Sequence, residues 1–360
     1  MIQVKLNCQW SLGSVFAQHY DPQIFRLLEA IHRTGSLNKA APIIGLSYRH
    51  LWNQIGKWSE MLGQPLAILE RGRGARLTPF GEKLLWADQR VKARLGPQLE
   101  SLASELEQEL NETFNAGRST LRIHASHDLA LSELRDILNQ TQNGPRLDLQ
   151  FRGSLDCLAS LARSQCDLAG FHLPEHGVSK NLLLRYRKWL RPRSEKLIEF
   201  VTRQQGLMLA PGNPRQIYDL GDLAKPEVRF VNRQQGSGTR LLLDMLLDQA
   251  GIKQGQIQGI QHEEFTHAAV AATVASGKAD AGMGIEAAAK QFDLDFVPLA
   301  SERYFLIARQ QSLLQPAVKQ LILAMQSSEF KNMIARLPGY DASRAGEFTS
   351  IRKVFPRISP

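Results

Sequence analysis

Near residue 117 the hydrophobic period of this chain changes, and the patterns on either side do not belong to one fold. Before it, Leu84, Ala87, Val91, Leu95, Leu99, Leu102, Leu106 and Leu110 recur at steps of three or four among Glu, Gln, Lys and Arg. A narrow apolar seam on a long polar helix suits pairing with a second helix; the alternative is that the seam packs on its own chain. After it, short apolar runs alternate with helical stretches, the pattern of an α/β domain. Thr78-Pro79 makes a good start for the seam helix, with the hydroxyl as cap and proline in the first turn. Gly96-Pro97 interrupts the seam, and a proline there removes a hydrogen bond, so two helices or one kinked helix are expected. The run NETFNAGRST ends it and serves as linker. The expected division is residues 1–78, a linker helix over 79–116 and a further domain over 117–360. A length of 360 residues agrees with two or three compact units.

Ahead of the seam, PQIFRLLEAIH places Ile24, Leu27, Leu28 and Ile31 on one helical face. Thr34-Gly35 ends that helix, and Ser36 can cap the next, SLNKAAPIIGL. Gly45 breaks the chain again, and Ser47 can cap a third helix, YRHLWNQIGKWSEML. Leu51, Ile55, Trp58 and Leu62 face inward there, leaving Tyr48, Arg49, His50, Asn53, Gln54 and Lys57 outward. Such side chains can donate to purine edges or phosphates in a major groove; a plain solvated face is the rival reading. LAILERGRGARLT adds two short extended segments around a turn with Arg71, Arg73 and Arg76, a shape that can lie along a sugar-phosphate backbone. Between Pro22 and Arg94 twelve Lys/Arg stand against five Asp/Glu, a net +7 of the chain's formal +9. A basic field of that kind suits a polyanion.

Several classes are disfavoured. Met1 to Trp10 contains Lys5, Asn7 and Gln9, so no signal peptide is expected, and no apolar stretch reaches the roughly 18 residues of a membrane helix. Cys8, Cys157 and Cys166 are odd in number and unpatterned, as in a reducing cytoplasm. His172 and His176 flank LPE without an evident third ligand, so neither a metal nor a cofactor is expected. Glu263, Glu264 and His267 precede a helix, where carboxylates are welcome for dipole reasons alone. No nucleophile–base pair stands out, so an enzyme is not expected.

Beyond Ser119, LRIHAS, LDLQF, CDLAGFHL and VRFVN read as strands, each followed or preceded by a helical stretch. Three strand-to-helix corners, Ser126-His127-Asp128, Gly153-Ser154 and Gly236-Ser237-Gly238-Thr239, share small hydroxyl residues at a helix start. Each hydroxyl can be a simple cap. Three such corners, one followed by Arg240, suit an anion pocket built on free amides and helix dipoles. GSGTR lacks the Walker spacing.

Two resemblances follow from these residues. AIHRTGSLNKAAPIIGLSYRHLWNQIGKWSEMLGQPLAILERGRGARLTPFGEKLL resembles the winged helix-turn-helix of molybdate-responsive repressors, which are related to LysR-type regulators. It implies groove contacts at Tyr48, Arg49, His50 and Asn53 and a wing over Arg71 to Arg76. NRQQGSGTRLLLDMLL, EEFTHAAVAATVASGKADAGMGIEAAA and LDFVPLASERYFL resemble two-lobed, type II periplasmic-binding-protein-like domains classed with molybdate-binding proteins. That implies a multidomain chain in which a winged helix-turn-helix and long linker helix precede two α/β lobes, crossed near Arg203–Leu207 and Glu302–Leu306. The effector would be held by Ser126, His127, Ser154, Gly236, Ser237, Gly238, Thr239 and Arg240, with His172, His267 and Tyr304. Together the resemblances imply a cytoplasmic, homodimeric or homotetrameric regulator of double-stranded operator DNA that senses molybdate or tungstate. A small carboxylate such as formate is the alternative effector, and an anion-binding transport receptor the alternative class.

Overall fold

A computed structural model describes residues 2–10, 23–70, 74–112, 119–141, 144–175 and 180–355. They form two compact units, one over residues 7–93 and one joining residues 2–6 to 94–355.

The first unit holds α1 (Gln23–Thr34), α2 (Leu37–Ile44), α3 (Tyr48–Leu62), β1 (Ala67–Glu70) and β2 (Gly74–Leu77). α1 buries Ile24, Phe25, Leu27, Leu28 and Ile31, and α3 buries Leu51, Ile55 and Trp58 against them. Glycine caps punctuate the helices as the sequence suggests. Gly45 turns left-handed at φ 73° and donates to the carbonyls of Ala41 and Pro42, a conformation that side chains resist. Ser47 Oγ caps α3 by accepting from His50 N. Ser36 differs from expectation: it stands at the N-cap of α2 without a side-chain cap. Thr34 Oγ1 bridges that junction instead, donating to Ala30 O and accepting from Ser36 N. β1 and β2 pair antiparallel, Glu70 opposite Gly74. A Cβ on Gly74 would lie 2.2 Å from Gly35 O, so the hairpin can approach the α1–α2 turn only with glycine there. The hairpin tip, with Arg71 and Arg73, lies outside the described residues.

α4 (Pro79–Glu112) is one continuous helix through Gly96-Pro97, not two. Nor is it a segment of its own: its first half carries Leu84 and Leu85 into the first unit's core, and its second half belongs to the other unit. There a polar face packs. Ser104 Oγ donates to Asp148 Oδ1 (3.1 Å) and accepts from Leu149 N (3.0 Å), while Ser101 Oγ accepts from Phe151 N. The seam residues Leu95, Leu102 and Leu110 are left exposed, at 37%, 45% and 45%.

The second unit continues with β3 (Thr120–Ala125), α5 (Leu129–Gln140), β4 (Arg146–Phe151), α6 (Ser154–Ala162), β5 (Leu168–Pro174), α7 (Lys180–Arg187) and β6 (Glu195–Leu209). β7 (Phe230–Arg233), α8 (Gly238–Gln249), β8 (Glu263–Glu264), α9 (His267–Ala275), β9 (Ala281–Ile285), α10 (Glu286–Gln291) and β10 (Asp295–Arg309) follow. α11 (Pro316–Gln326), α12 (Ser328–Ile334), β11 (Tyr340–Asp341), β12 (Phe348–Thr349) and α13 (Ile351–Val354) close the chain. The strand order is β4-β3-β5-β10-β6-β9-β7-β8, with β11 and β12 added on β6. The two 15-residue strands β6 and β10 pair antiparallel along their length, Arg203 opposite Glu302. Separate cores lie toward their two ends: one around Phe171, Tyr186 and Phe305, the other around Leu207, Phe230 and Leu243. Two cores threaded by two shared strands make the two lobes, and the pairing of Arg203 with Glu302 lies at the expected crossing. Among the described residues no helix is long and apolar enough to cross a membrane.

Candidate functional site

The parallel strands bring their carboxyl ends, and so the helix starts, to one place. Where β3, β4 and β7 hand over to α5, α6 and α8, a cavity of about 160 Å³ opens within the second unit. Ser126, His127, His172, Ser237, Gly238, Thr239 and His267 line it.

Two other expected residues sit behind that lining. Ser154 Oγ is 2.8 Å from Ser126 Oγ. Tyr304 stacks on His172 with ring centroids 4.0 Å apart and donates its hydroxyl proton to Ser126 O. Gly236 supplies the φ of 81° that turns β7 into α8, and Ser237 caps α8 by accepting from Arg240 N. Gly238 opens the helix where a Cβ would meet His172 Cβ at 3.4 Å. Arg240 is absent from the lining. Helical spacing aims it at Asp244 Oδ1 (2.9 Å), and Glu263 Oε1 (3.5 Å) completes its neutralisation.

The cavity's positive charge comes from residues the sequence reading passed over. Arg203, 2% exposed, donates from Nη1 to Asp128 Oδ2 (2.6 Å) and from Nε and Nη2 to Glu302 Oε2. Two carboxylates therefore surround that guanidinium. Although burial opposes ionisation, Arg203 holds both carboxyls below their usual range, and they hold the guanidinium above its own. Asp128 is thus a cap and a hinge partner: its Oδ1 accepts from Ala130 N, and its Oδ2 also accepts from Tyr340. Arg94 from α4 makes a bidentate pair with the fully buried Glu264, at 2.5 and 2.7 Å, and Thr273 Oγ1 donates to the same carboxylate.

Arg233 is different. It is 7% exposed and donates from Nε to Gln234 Oε1 and from Nη2 to Phe265 O, while Nη1 has no partner among the described residues. Burial, with Arg203 nearby, pushes its pKa down to about 9. The imidazoles add no charge. Burial first, and then neighbouring cations, hold His172 and His267 below the ordinary histidine value, and burial likewise lowers His127. Among the described residues His267 Nδ1 lacks a hydrogen-bond partner, while His172 Nε2 lies 3.5 Å from Asp128 Oδ2. Among the described residues the cavity therefore offers the buried Arg233 and the exposed Arg152 as cations without a carboxylate ion pair, three neutral imidazoles, several hydroxyls and the first-turn amides of α8. Donors of these kinds can hydrogen-bond an anion whose charge is spread over several oxygens. A local signal for Arg233 existed: it ends the strand that leads into GSGT. Arg94 and Arg203 carried none, because 170 and 99 residues separate them from their partners.

On the first unit, Tyr48, Arg49, His50, Asn53 and Lys57 are exposed along one side of α3. Gln54 is half-buried, its amide 3.2 Å from His50 Nε2. Ser36 is half-buried and Arg76 exposed. Trp52, 46% exposed beside Tyr48, was not singled out from the sequence.

The family described as PBP superfamily domain matches residues 135–326, and the bacterial regulatory helix-turn-helix protein, lysR family, matches residues 23–82. The uncharacterized protein YvgK of Bacillus subtilis (strain 168) is 32% identical over 197 residues, 54% of this chain and 63% of that protein. The molybdenum transport protein ModE of Azotobacter vinelandii is 33% identical over 91 residues, 24% of this chain and 32% of that protein. The chain thus spans less than two thirds of either relative. Among solved structures, a Corynebacterium glutamicum OxyR mutant bound to H2O2 is 18% identical, covers 88% of this chain and 95% of that one, and has a TM-score of 0.44.

Proposed function

This chain belongs to the PBP superfamily and carries a lysR-family helix-turn-helix, and from that premise we propose that it is a cytoplasmic DNA-binding transcription regulator whose cavity holds a small oxyanion, molybdate or tungstate. LysR-type regulators are not enzymes, and a transport receptor would have no use for the helix-turn-helix.

One observation carries the anion reading: the buried Arg233 Nη1 without a partner among the described residues, beside hydroxyls and amides that start α8. A tetrahedral oxyanion engages donors from both lobes at once, Ser126 from one and Thr239, Arg233 and the α8 amides from the other, while Ser237, whose Oγ already donates to Gln234 O, shapes the start of α8. Formate has too few oxygens to reach them all. The ModE relative, named for molybdenum transport, favours molybdate among oxyanions. Arg240 acts at a distance, by holding the start of α8 in place.

Ligand closes the lobes about β6 and β10, and the closed form changes how copies of the chain assemble on DNA. The exposed seam of α4 pairs copies into a homodimer or homotetramer. On the operator, Arg49, Asn53 and Gln54 read bases, while Tyr48, His50, Lys57 and the wing arginines Arg71, Arg73 and Arg76 hold the backbone; Ser47 sets the start of α3, and Ser36 stands at the start of α2 without capping it, its hydroxyl left for a phosphate. Calorimetry with molybdate, tungstate, sulfate and formate is the test. Saturable heat from molybdate or tungstate, lost in Arg233→Gln, is expected. Heat from formate alone makes the carboxylate reading correct.

A further inference from the structure

The densest positive charge in the chain lies outside the helix-turn-helix. Residues 180–196, KNLLLRYRKWLRPRSEK, hold seven Lys/Arg against one acidic residue. That residue, Glu195, is buried and accepts from Arg191 N at 2.8 Å, so it does little to neutralise the surface above it. Leu182, Tyr186 and Leu190 anchor the segment in the core around Phe171, which leaves Arg185, Lys188, Arg191 and Arg193 exposed on a fixed backbone.

The fold adds to the cluster from elsewhere. Arg163, at the end of α6, places its guanidinium 5.8 Å from the Trp189 ring, and Lys188 Nζ lies 4.9 Å from the same ring. Two cations thus share one half-buried aromatic. Arg309 stands close by, donating to Leu161 O and Ser164 Oγ. A bland cause covers only part of this: cations are welcome in the last turn of α7, which accounts for Arg185 and Arg187. The same cause covers Arg163 at the C-cap of α6, but Lys188, Arg191 and Arg193 lie beyond the α7 turn. Like charges held on a rigid surface repel one another, and a polyanion relieves that repulsion.

We propose that this surface, from Arg163 across Trp189 to Arg193, is a second contact for duplex DNA. It lies on the sugar-phosphate backbone outside the sequence read by α3. Cations and one amphipathic ring, without a row of Asn or Gln to read base edges, suit phosphates rather than sequence. The proposal rests on the DNA-binding reading above, and its test separates the two.

A site selected by the full chain from a random duplex pool is prepared in two forms, trimmed to its footprint and flanked by several helical turns of arbitrary sequence. Binding of both is titrated against salt, for the wild type and for the triple variant Arg185→Gln/Lys188→Gln/Arg193→Gln. Each backbone contact contributes about 0.9 to the log–log salt slope. Three contacts amount to roughly 40-fold in affinity between 0.05 and 0.2 M salt on that relation. The wild type is expected to bind the flanked duplex more tightly and with the steeper slope. The triple variant should bind both forms alike, at the trimmed-site affinity. Arg185→Lys/Arg193→Lys, which keeps the charge, should retain the gain. Equal wild-type binding to both forms, or a triple variant that keeps the flank gain, overturns the proposal while leaving α3 as the operator reader. A wild type that selects no duplex overturns the DNA-binding reading itself, and this proposal with it.

Discussion

Replacing Arg233 with Met should stabilise the ligand-free protein and abolish its response to anion. The site disfavours the guanidinium charge, since burial and Arg203 push its pKa from 12.5 down to about 9. At 1.36 kcal/mol per pKa unit that is a penalty of a few kcal/mol at neutral pH. Against it stand two hydrogen bonds, to Gln234 Oε1 and Phe265 O, each contributing about 1 kcal/mol net. Methionine keeps much of the volume and needs no partner, although Phe265 O loses a donor. The balance is a gain of about 1–2 kcal/mol, within the range seen when buried ions are replaced by apolar groups. The measurement is urea unfolding of wild type and variant, with and without molybdate. The folded pKa lies below the unfolded one, so as pH rises above about 9 the wild type sheds its penalty and the difference should narrow. A variant destabilised by more than about 1 kcal/mol, larger than the expected hydrogen-bond loss, would refute the reasoning. So would a variant whose midpoint still rises with molybdate.

The three cavity imidazoles have folded pKa values below that of the unfolded chain. Their contribution is complete above about 6.5 and is lost as pH falls from there toward the depressed values, so ligand-free stability should decline over that window; a flat profile across it would sink the assignment. Arg94→Ala leaves the Glu264 carboxylate buried with Thr273 as its remaining side-chain donor. Breaking a buried pair costs about 3–5 kcal/mol, but Arg94 is 46% exposed and water can replace it, so we expect roughly 1–3 kcal/mol; an unchanged urea midpoint would contradict this. Leu102→Asp should disperse the oligomer in sedimentation with little effect on unfolding, because that side chain is 45% exposed. A variant that sediments as the wild type removes the α4 seam from the interface.

Much of the architecture was legible because it is local. Helix faces in α1 and α3, the glycine stops at Gly35 and Gly45, the Ser47 and Ser237 caps and the β7-to-α8 corner each depend on residues within a few positions of one another. Ser36 shows the limit of that kind of reading. The right residue type stands at the cap, yet its hydroxyl makes no cap bond, and its own N–H donates back to Thr34 Oγ1 instead.

What only the tertiary structure decided is how charge and exposure are distributed. Arg240 follows the GSGT corner and reads as an anion ligand, but its partners are one helical turn on and across in β8. The buried cation without a paired carboxylate is Arg233, because only the folded arrangement shows which buried guanidinium is ion-paired and which is not. The same holds for α4. Sequence period marks Leu95, Leu102 and Leu110 as a seam, and the fold spends the opposite side, through Ser101 and Ser104, on the backbone of β4. Periodicity records where apolar side chains lie around a helix. Which side is covered, and which ion is paired, depends on segments far away in sequence, and those meet only when the chain closes on itself.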